Sequence, residues 1–271
     1  IGQVTGGGWD FNQRNMSGDY RFAKTLFIWD TNPPNSQPHN WHFCIEAKEA
    51  GANLVVIDPT YTVAASQATK WVPIKPGTDP ALGMAILNVV IANEWYDTDF
   101  LREKTCAPLL VREDNGHFLR STDFGEDGPA QLPEYPFYGM LLLQASKANK
   151  VPTLEQTADY VVWDADANAR GAINETANPA LEGRYEVDGV KVTTAWTLLK
   201  EHMAECTPEW AEKITEVPAD TIVELARMYA CATPSTIYAG YHLYDNCGEM
   251  GHAWATLASL TGNIGKRGAS L

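Results

Sequence analysis

The sequence predicts an α/β fold: a mostly parallel, doubly wound sheet with helices on both faces and small β-hairpin excursions. Three observations predict it. Two short apolar runs, residues 26–29 (LFIW) and 53–57 (NLVVI), have the continuous hydrophobic character of strands buried on both faces. Between them, residues 39–50 (HNWHFCIEAKEA) suit a helix that Gly51 is placed to end. Each run is followed by a loop dense in turn formers, DTNPPNSQP at 30–38 and Asp58-Pro59-Thr60. Strands alternating with helices make a parallel sheet, in which ligands lie beyond the carboxyl ends of the strands.

The remaining elements follow in order. Residues 1–16 are glycine-rich, and Gly6-Gly7-Gly8 reads either as a flexible turn or as a close approach to a phosphate. Residues 17–24 suit a short helical turn. Residues 71–74 (WVPI) are a third strand, and Lys75-Pro76-Gly77-Thr78-Asp79 leads into an apolar helix through Ile91, with Asp79 as N-cap and Pro80 at the first helical position. A short helix is expected over 97–104, and a strand–turn–strand over 107–120 around Asn115-Gly116. Residues 121–157 read as irregular, with one apolar helix near 140–144. Residues 160–164 (YVVWD) are a strand and 185–191 a hairpin around Asp188-Gly189. Helices are expected over 194–204, after Thr207-Pro208, over 218–230 and over 251–260, with a strand at 235–239 ending at Gly240.

The composition is that of a globular chain: 271 residues, 45% hydrophobic and 20% charged. No apolar run approaches the roughly 20 residues that span a bilayer, so no direct membrane insertion is expected. The net charge of -14, from 20 basic and 34 acidic side chains, argues against a nucleic-acid partner. An anionic ligand is still compatible, because backbone N–H groups at helix starts hold anions within acidic proteins. The five cysteines (Cys44, Cys106, Cys206, Cys231, Cys247) include no C-x-x-C pair, which supports neither an iron–sulfur cluster nor a zinc site within this stretch. Because the chain starts at Ile1 and ends abruptly, it is expected to be a piece of a longer protein.

The three polar loops around Asn32, Asp58 and Asp79 all fall at carboxyl ends of strands and are taken to form one site. Asp58, at the end of the second strand, can accept hydrogen bonds from ribose hydroxyls. Asp79 either accepts two parallel hydrogen bonds from a guanine edge or caps its own helix. The first loop lacks G-x-G-x-x-G, which disfavours an ordinary nicotinamide-binding domain. His39, His42 and Glu46 share one helical face; a metal site and a solvated helix start both fit, and the second is favoured. Tyr241 and His242 follow Gly240 at a strand end, a typical ligand-loop position, whereas Met250 and His252 read as packing or surface residues. No nucleophile elbow and no Walker loop is present.

LFIWDTNPPNS, followed by AGANLVVIDPTYTVAASQATKWVPIKPGTDPALGMAI, resembles the molybdopterin oxidoreductases of the dimethyl sulfoxide reductase family. That family's pattern is a tryptophan-glycine-x-asparagine-proline loop, a D-P-R loop, and P-G-T-D before a helix. The stretch from TPEWAEKITEVPADTIVELARMYA to ASLTGNIGKRG resembles its next landmark. The resemblance implies a Rossmann-like domain and a bis(molybdopterin guanine dinucleotide) cofactor carrying molybdenum or tungsten. By position, Trp29, Asp30, Thr31, Asn32, Pro33, Asn35 and Ser36 fall on the first cofactor loop. Asp58, Pro59, Thr60, Tyr61 and Thr62 fall on the second, and Gly77, Thr78 and Asp79 on the third, where the carboxylate would read guanine. Ala239, Gly240, Tyr241, His242 and Leu243 fall on a later loop that approaches the pterin. Three residues depart from the pattern: Asp30 stands for Gly, Thr60 for Arg, and Leu243 for a residue that is often polar.

The resemblance also implies what lies elsewhere. The metal-ligating residue is expected at or before Ile1, and a 4Fe-4S cluster and a further cofactor-binding domain outside this stretch. Residues 1–271 would be one central cofactor-binding domain, with roughly the last 30 residues crossing into its neighbour. The full-length enzyme would move electrons between an iron–sulfur relay, or an iron–sulfur electron-transfer subunit, and a small-molecule substrate. The reaction would be oxygen-atom transfer, dehydroxylation or dehydrogenation; non-redox hydration and transhydroxylation also occur in the family. Its compartment is either the cytoplasm or, with a leader upstream, the space to which loaded enzymes are exported. Two rivals stand beside this reading: a non-catalytic subunit that keeps the fold without cofactor, and a nicotinamide-dependent dehydrogenase domain.

Overall fold

The computed structural model describes residues 16–126, 160–240 and 247–269. In chain order the strands are β1 (Thr25–Trp29), β2 (Asn53–Ile57), β3 (Lys70–Val72), β4 (Leu110–Arg112), β5 (Val161–Asp164), β6 (Ala169–Ala172), β7 (Arg184–Val187), β8 (Val190–Thr194) and β9 (Ser235–Ala239). The helices are α1 (Pro33–Ser36), α2 (Pro38–Glu49), α3 (Val63–Gln67), α4 (Asp79–Ala92), α5 (Thr98–Lys104), α6 (Ala195–Met203), α7 (Pro208–Thr215), α8 (Ala219–Cys231) and α9 (Cys247–Leu260). The chain divides into two compact units, Ile1–Asp97 with His202–Leu271, and Thr98–Glu201.

The first unit carries a four-stranded, all-parallel sheet of order β3-β2-β1-β9. Every residue of β1 and β9 is buried, as a strand covered on both faces requires. Side chains alternate across the sheet. Leu26 and Ile28 join Leu54, Val56 and Tyr238 in one core cluster with Cys44 and Ala47 of α2 and Ala64 of α3. Thr25, Phe27 and Trp29 point the other way. The Thr25 hydroxyl donates to the Met228 carbonyl at 3.0 Å, Phe27 packs on Tyr229 at 5.3 Å, and Trp29 meets Trp254 edge-on at 5.8 Å. Helices therefore cover both faces, as expected.

On that second face α4 is the axle: nine of its 14 residues are buried. Each fully buried Leu or Ile there, such as Leu82 and Ile86, contributes about 1.5–3 kcal/mol. A Cβ at Gly83 would come within 2.9 Å of the Ala253 Cβ, so glycine lets α4 and α9 approach closely.

The second unit is antiparallel. β4-β8-β7 form one sheet and β5-β6 a ribbon, around a small core of Leu110, Leu119, Val161, Val187 and Val192. The β7-β8 turn holds Asp188 at φ 49° and Gly189 at φ 83°, the two left-handed residues of a hairpin turn matched to strand twist.

Several boundaries differ from the sequence reading for local reasons. β3 runs over Lys70–Val72 and stops before Pro73, which has no N–H for the ladder. The first loop contains the one-turn helix α1, begun by Pro33 and Pro34. α3 was not expected; the Thr62 hydroxyl caps it by accepting from the Ala65 N–H at 3.2 Å. Thr78, not Asp79, is the N-cap of α4, and Pro80 sits second in the helix. The turn at Asn115-Gly116 exists, with the Arg112 N–H donating to the His117 carbonyl at 2.9 Å. It closes a single bridge, Val111 to Phe118, rather than a second full strand. β6 was missed, and α9 starts at Cys247 rather than residue 251. Gly6-Gly7-Gly8 and the helix expected at 140–144 lie outside the described residues. No helix among the described residues is long and apolar enough to cross a membrane.

Candidate functional site

The parallel ladder brings the first residues of four loops to one edge of the first unit. The Asp30 N–H donates to the Ile57 carbonyl at 3.3 Å, the Asp58 N–H to the Val72 carbonyl at 3.2 Å, and the Gly240 N–H to the Trp29 carbonyl at 2.9 Å. Pairing thus continues one residue past β1, β2 and β9, and the loops leave the sheet side by side.

Backbone demands explain two residues here. Asp30 has φ 54°, in the left-handed region that glycine enters freely and Asp tolerates better than most residues. The family's glycine at this position and this chain's Asp30 therefore meet the same conformational requirement. At Gly240 the constraint is space: an added Cβ would lie 1.6 Å from the Asp30 carbonyl oxygen.

In the first loop the Asn32 carbonyl accepts from the N–H groups of Asn35 (3.0 Å) and Ser36 (3.1 Å), and from the Ser36 hydroxyl (3.1 Å). Its side-chain Oδ1 is buried and has no hydrogen-bond partner among the described residues. Burying such an oxygen costs about 1–3 kcal/mol, a cost that a donor from a ligand would remove. Pro33 is buried, whereas Asn35 and Ser36 are exposed.

In the second loop the Asp58 Oδ1 accepts from the Thr60 N–H at 2.7 Å, and the Trp71 indole donates to the Asp58 carbonyl at 2.9 Å. Partial burial pushes the Asp58 carboxyl above its usual range; the Thr60 N–H pulls it down and the nearby Asp79 charge adds to the rise. Pro59, Thr60 and Tyr61 are exposed, and Tyr61 stands edge-on to Trp71 at 5.0 Å. Thr62 is occupied as the cap of α3.

In the third loop Gly77 has φ 79°, and the Thr78 hydroxyl donates to the Lys75 carbonyl at 2.7 Å. Asp79, in the first turn of α4 where the helix dipole favours a negative charge, accepts from the Trp29 indole N–H at 2.8 Å.

The structure thus brings Trp29, Asp30, Asn32, Asp58, Asp79, Ala239 and Gly240 to one edge of the sheet. Tyr241, His242 and Leu243 lie outside the described residues. The histidine face of α2 gathers no ligand set: Glu46 reaches toward Arg21 at 3.9 Å and His42 packs on Phe43 at 3.7 Å. No group of three or more His, Cys, Asp or Glu among the described residues could hold a metal ion. The sequence reading missed the Trp29–Asp79 bond and the placement of Trp254 against Trp29. Fifty positions separate the first pair, and no local pattern encodes it.

The groups gathered here are hydrogen-bond acceptors: the neighbouring Asp58 and Asp79 carboxylates and the Asn32 amide oxygen, which has no partner among the described residues. They stand at the strand ends, where ligands of open α/β sheets lie.

Comparison with known proteins gives the family. The family described as molybdopterin oxidoreductase matches residues 9–271. The alpha subunit of the chlorate reductase of Ideonella dechloratans is 33% identical over 252 residues, 91% of this chain and 26% of that protein. A putative dimethyl sulfoxide reductase catalytic subunit of Halobacterium salinarum is 31% identical over 274 residues, 98% of this chain and 29% of that protein. The chain thus spans between a quarter and a third of the length of these two relatives. The acetylene hydratase of Pelobacter acetylenicus aligns with a TM-score of 0.53 over 94% of this chain and 25% of its own, at 18% identity, a likeness of fold. On the family match and these relatives, the chain belongs to the molybdopterin oxidoreductases of the dimethyl sulfoxide reductase family.

Proposed function

We propose that the chain is the central cofactor-binding domain of a molybdenum or tungsten oxidoreductase. It would hold one guanine dinucleotide arm of a bis(molybdopterin guanine dinucleotide) and line the substrate funnel, with roughly its last 30 residues reaching into a neighbouring domain. The observation that supports this best is the convergence of Asn32, Asp58 and Asp79 at the carboxyl edge of the parallel sheet. Asp79 would take the guanine edge and Asp58 the ribose hydroxyls. The first loop would face the pyrophosphate, and Asn32 Oδ1 would accept a hydrogen bond from the bound group. Residues 239–243 would approach the pterin.

When bound, the pterin-held metal supplies the redox chemistry, and the protein supplies binding, orientation and exclusion of water. The full-length enzyme would act on a small-molecule substrate and exchange electrons through iron–sulfur centres, its own or those of a partner subunit. The relative from Ideonella dechloratans is named as an alpha subunit, which supports such an assembly.

The test is metal, pterin and nucleotide analysis of the full-length protein, purified anaerobically from its native host. Molybdenum or tungsten with about two guanine nucleotides per chain is the expected result. Folded full-length protein that lacks both metal and pterin would overturn the proposal and leave a non-catalytic subunit.

A further inference from the structure

We infer that Trp29 is a positioning residue that sets the base selectivity of this site by holding the Asp79 carboxylate in place. The inference rests on the reading of Asp79 as the guanine contact. Asp79 needs such a support. It lies in the first turn of α4, where Pro80 has no N–H and the Ala81 N–H donates to the Thr78 carbonyl at 3.0 Å, so its own helix offers the carboxylate little hold. The Asp58 carboxylate lies near enough for their charges to interact, and that repulsion favours other side-chain orientations. The Trp29 indole N–H, 2.8 Å from Oδ1, fixes it instead.

The donor is rigid. Trp29 is fully buried and is the last residue of β1, paired in register with Ile57 on one side and Ala239 on the other. Its ring meets Trp254 edge-on at 5.8 Å and Phe27 at 6.3 Å. A carboxylate offers about four acceptor positions. The indole takes one, so enough remain for the two parallel bonds that a guanine presents from its ring N–H and its 2-amino group. Hypoxanthine lacks the 2-amino group and can make only one. Selectivity for guanine over hypoxanthine then depends on the carboxylate being held in a single orientation, and that orientation comes from the end of β1, not from the loop that carries Asp79.

The test uses the full-length protein, produced in a host that makes no pterin cofactor, with GMP and IMP as calorimetric probes. The parent should bind GMP about tenfold or more tighter than IMP. Trp29→Phe should weaken GMP about tenfold while changing IMP little, bringing the two within about threefold. Placing 3-benzothienylalanine at position 29, which keeps the ring volume but has sulfur in place of the N–H, should do the same and decides the matter if Trp29→Phe does not fold. In an Asp79→Ala background, removing the indole N–H should leave the GMP/IMP ratio unchanged. If the Trp29 variants lower GMP and IMP by equal factors, or keep the parental ratio, Trp29 only packs and the inference is overturned while the guanine reading stands. If the parent binds no GMP, the guanine reading itself falls, and this inference with it.

Discussion

Gly240 and Gly77 border the same site but are required for different reasons, and alanine at each should separate them. At Gly240 the Cβ of an alanine would stand 1.6 Å from the Asp30 carbonyl oxygen, 2.5 Å from its carbon and 3.2 Å from the Thr31 Cβ. Restoring an ordinary contact requires the end of β9 to retreat from β1 by roughly 1.5 Å. That would take the Gly240 N–H, now 2.9 Å from the Trp29 carbonyl, beyond the ~3.5 Å reach of a hydrogen bond. Losing that buried bond costs about 1–3 kcal/mol, and the overpacking about 1–3 kcal/mol more. We expect a total near 3–4 kcal/mol, a large share of the 5–15 kcal/mol typical of a folded domain. At Gly77 no atom lies within 4 Å of the added Cβ, but φ is 79°. The cost there is about 1–2 kcal/mol of left-handed strain, offset in part by the less flexible unfolded chain.

Urea unfolding followed by circular dichroism measures both. Gly240→Ala should lower the midpoint by at least twice as much as Gly77→Ala, with the slope unchanged. A Gly240→Ala protein with a midpoint equal to that of the parent, or a Gly77→Ala protein that loses more, would refute the close approach of β9 to Asp30.

Other perturbations test separate parts of the fold. The Tyr229 hydroxyl is fully buried without a partner among the described residues, so Tyr229→Phe should stabilise the chain by about 1 kcal/mol in the same urea assay; a loss of that size would mean that the hydroxyl is bonded. Asp58→Asn keeps the acceptor for the Thr60 N–H but removes a charge disfavoured by burial and by Asp79. A carboxyl raised in the folded state stabilises fully below its unfolded value of about 3.9 and loses that contribution as pH rises through the raised value. The Asn variant should therefore match the parent below about pH 3.9 and exceed it near pH 7. A gain that shrinks with rising pH would reverse the assignment. The same variant should bind GMP more weakly, read by calorimetry, because a neutral amide is the poorer acceptor for ribose hydroxyls. Thr207→Ala removes the hydroxyl that accepts from the Trp210 N–H at 3.2 Å and should cost about 1 kcal/mol by thermal unfolding.

The sheet was legible because its chemistry is local. β1, β2 and β9 are covered on both faces, so most of their residues are apolar, and the runs LFIW, LVVI and IYA are visible without knowing their neighbours. The Asp188-Gly189 hairpin was legible for a similar reason, since its two left-handed residues sit in the turn itself. β6 (ARGA) was not, because four residues with two exposed and two half-buried carry no alternation. α1 and α3, at four and five residues, are too short to show a helical period. Within the site, the loops could be placed at the strand ends from strand order alone. Their mutual contacts could not, because Trp29 with Asp79, Asp30 with Gly240 and Trp29 with Trp254 are set by how strands and helices stack.

Three costs that a fold normally avoids meet at this edge. Asp30 holds a left-handed backbone, which costs a non-glycine residue roughly 1–2 kcal/mol. Asn32 buries an amide oxygen that no described group satisfies. Asp58 keeps a partly buried carboxylate close to a second one. A few residues away the same strands run through a core in which Leu26, Ile28, Leu54 and Val56 are wholly buried. A sequence under selection for stability alone has cheap remedies at each point: Gly at 30, an apolar residue at 32, Asn at 58. Strain and unmet polar groups of this kind persist where a ligand relieves them, and the proposed cofactor would do so at these loops. Thr60 fits the same logic from the other side. It stands where the family carries arginine, yet its N–H still closes the turn that holds the Asp58 carboxylate at 2.7 Å. The backbone that presents the Asp58 acceptor is therefore complete without an arginine side chain at position 60.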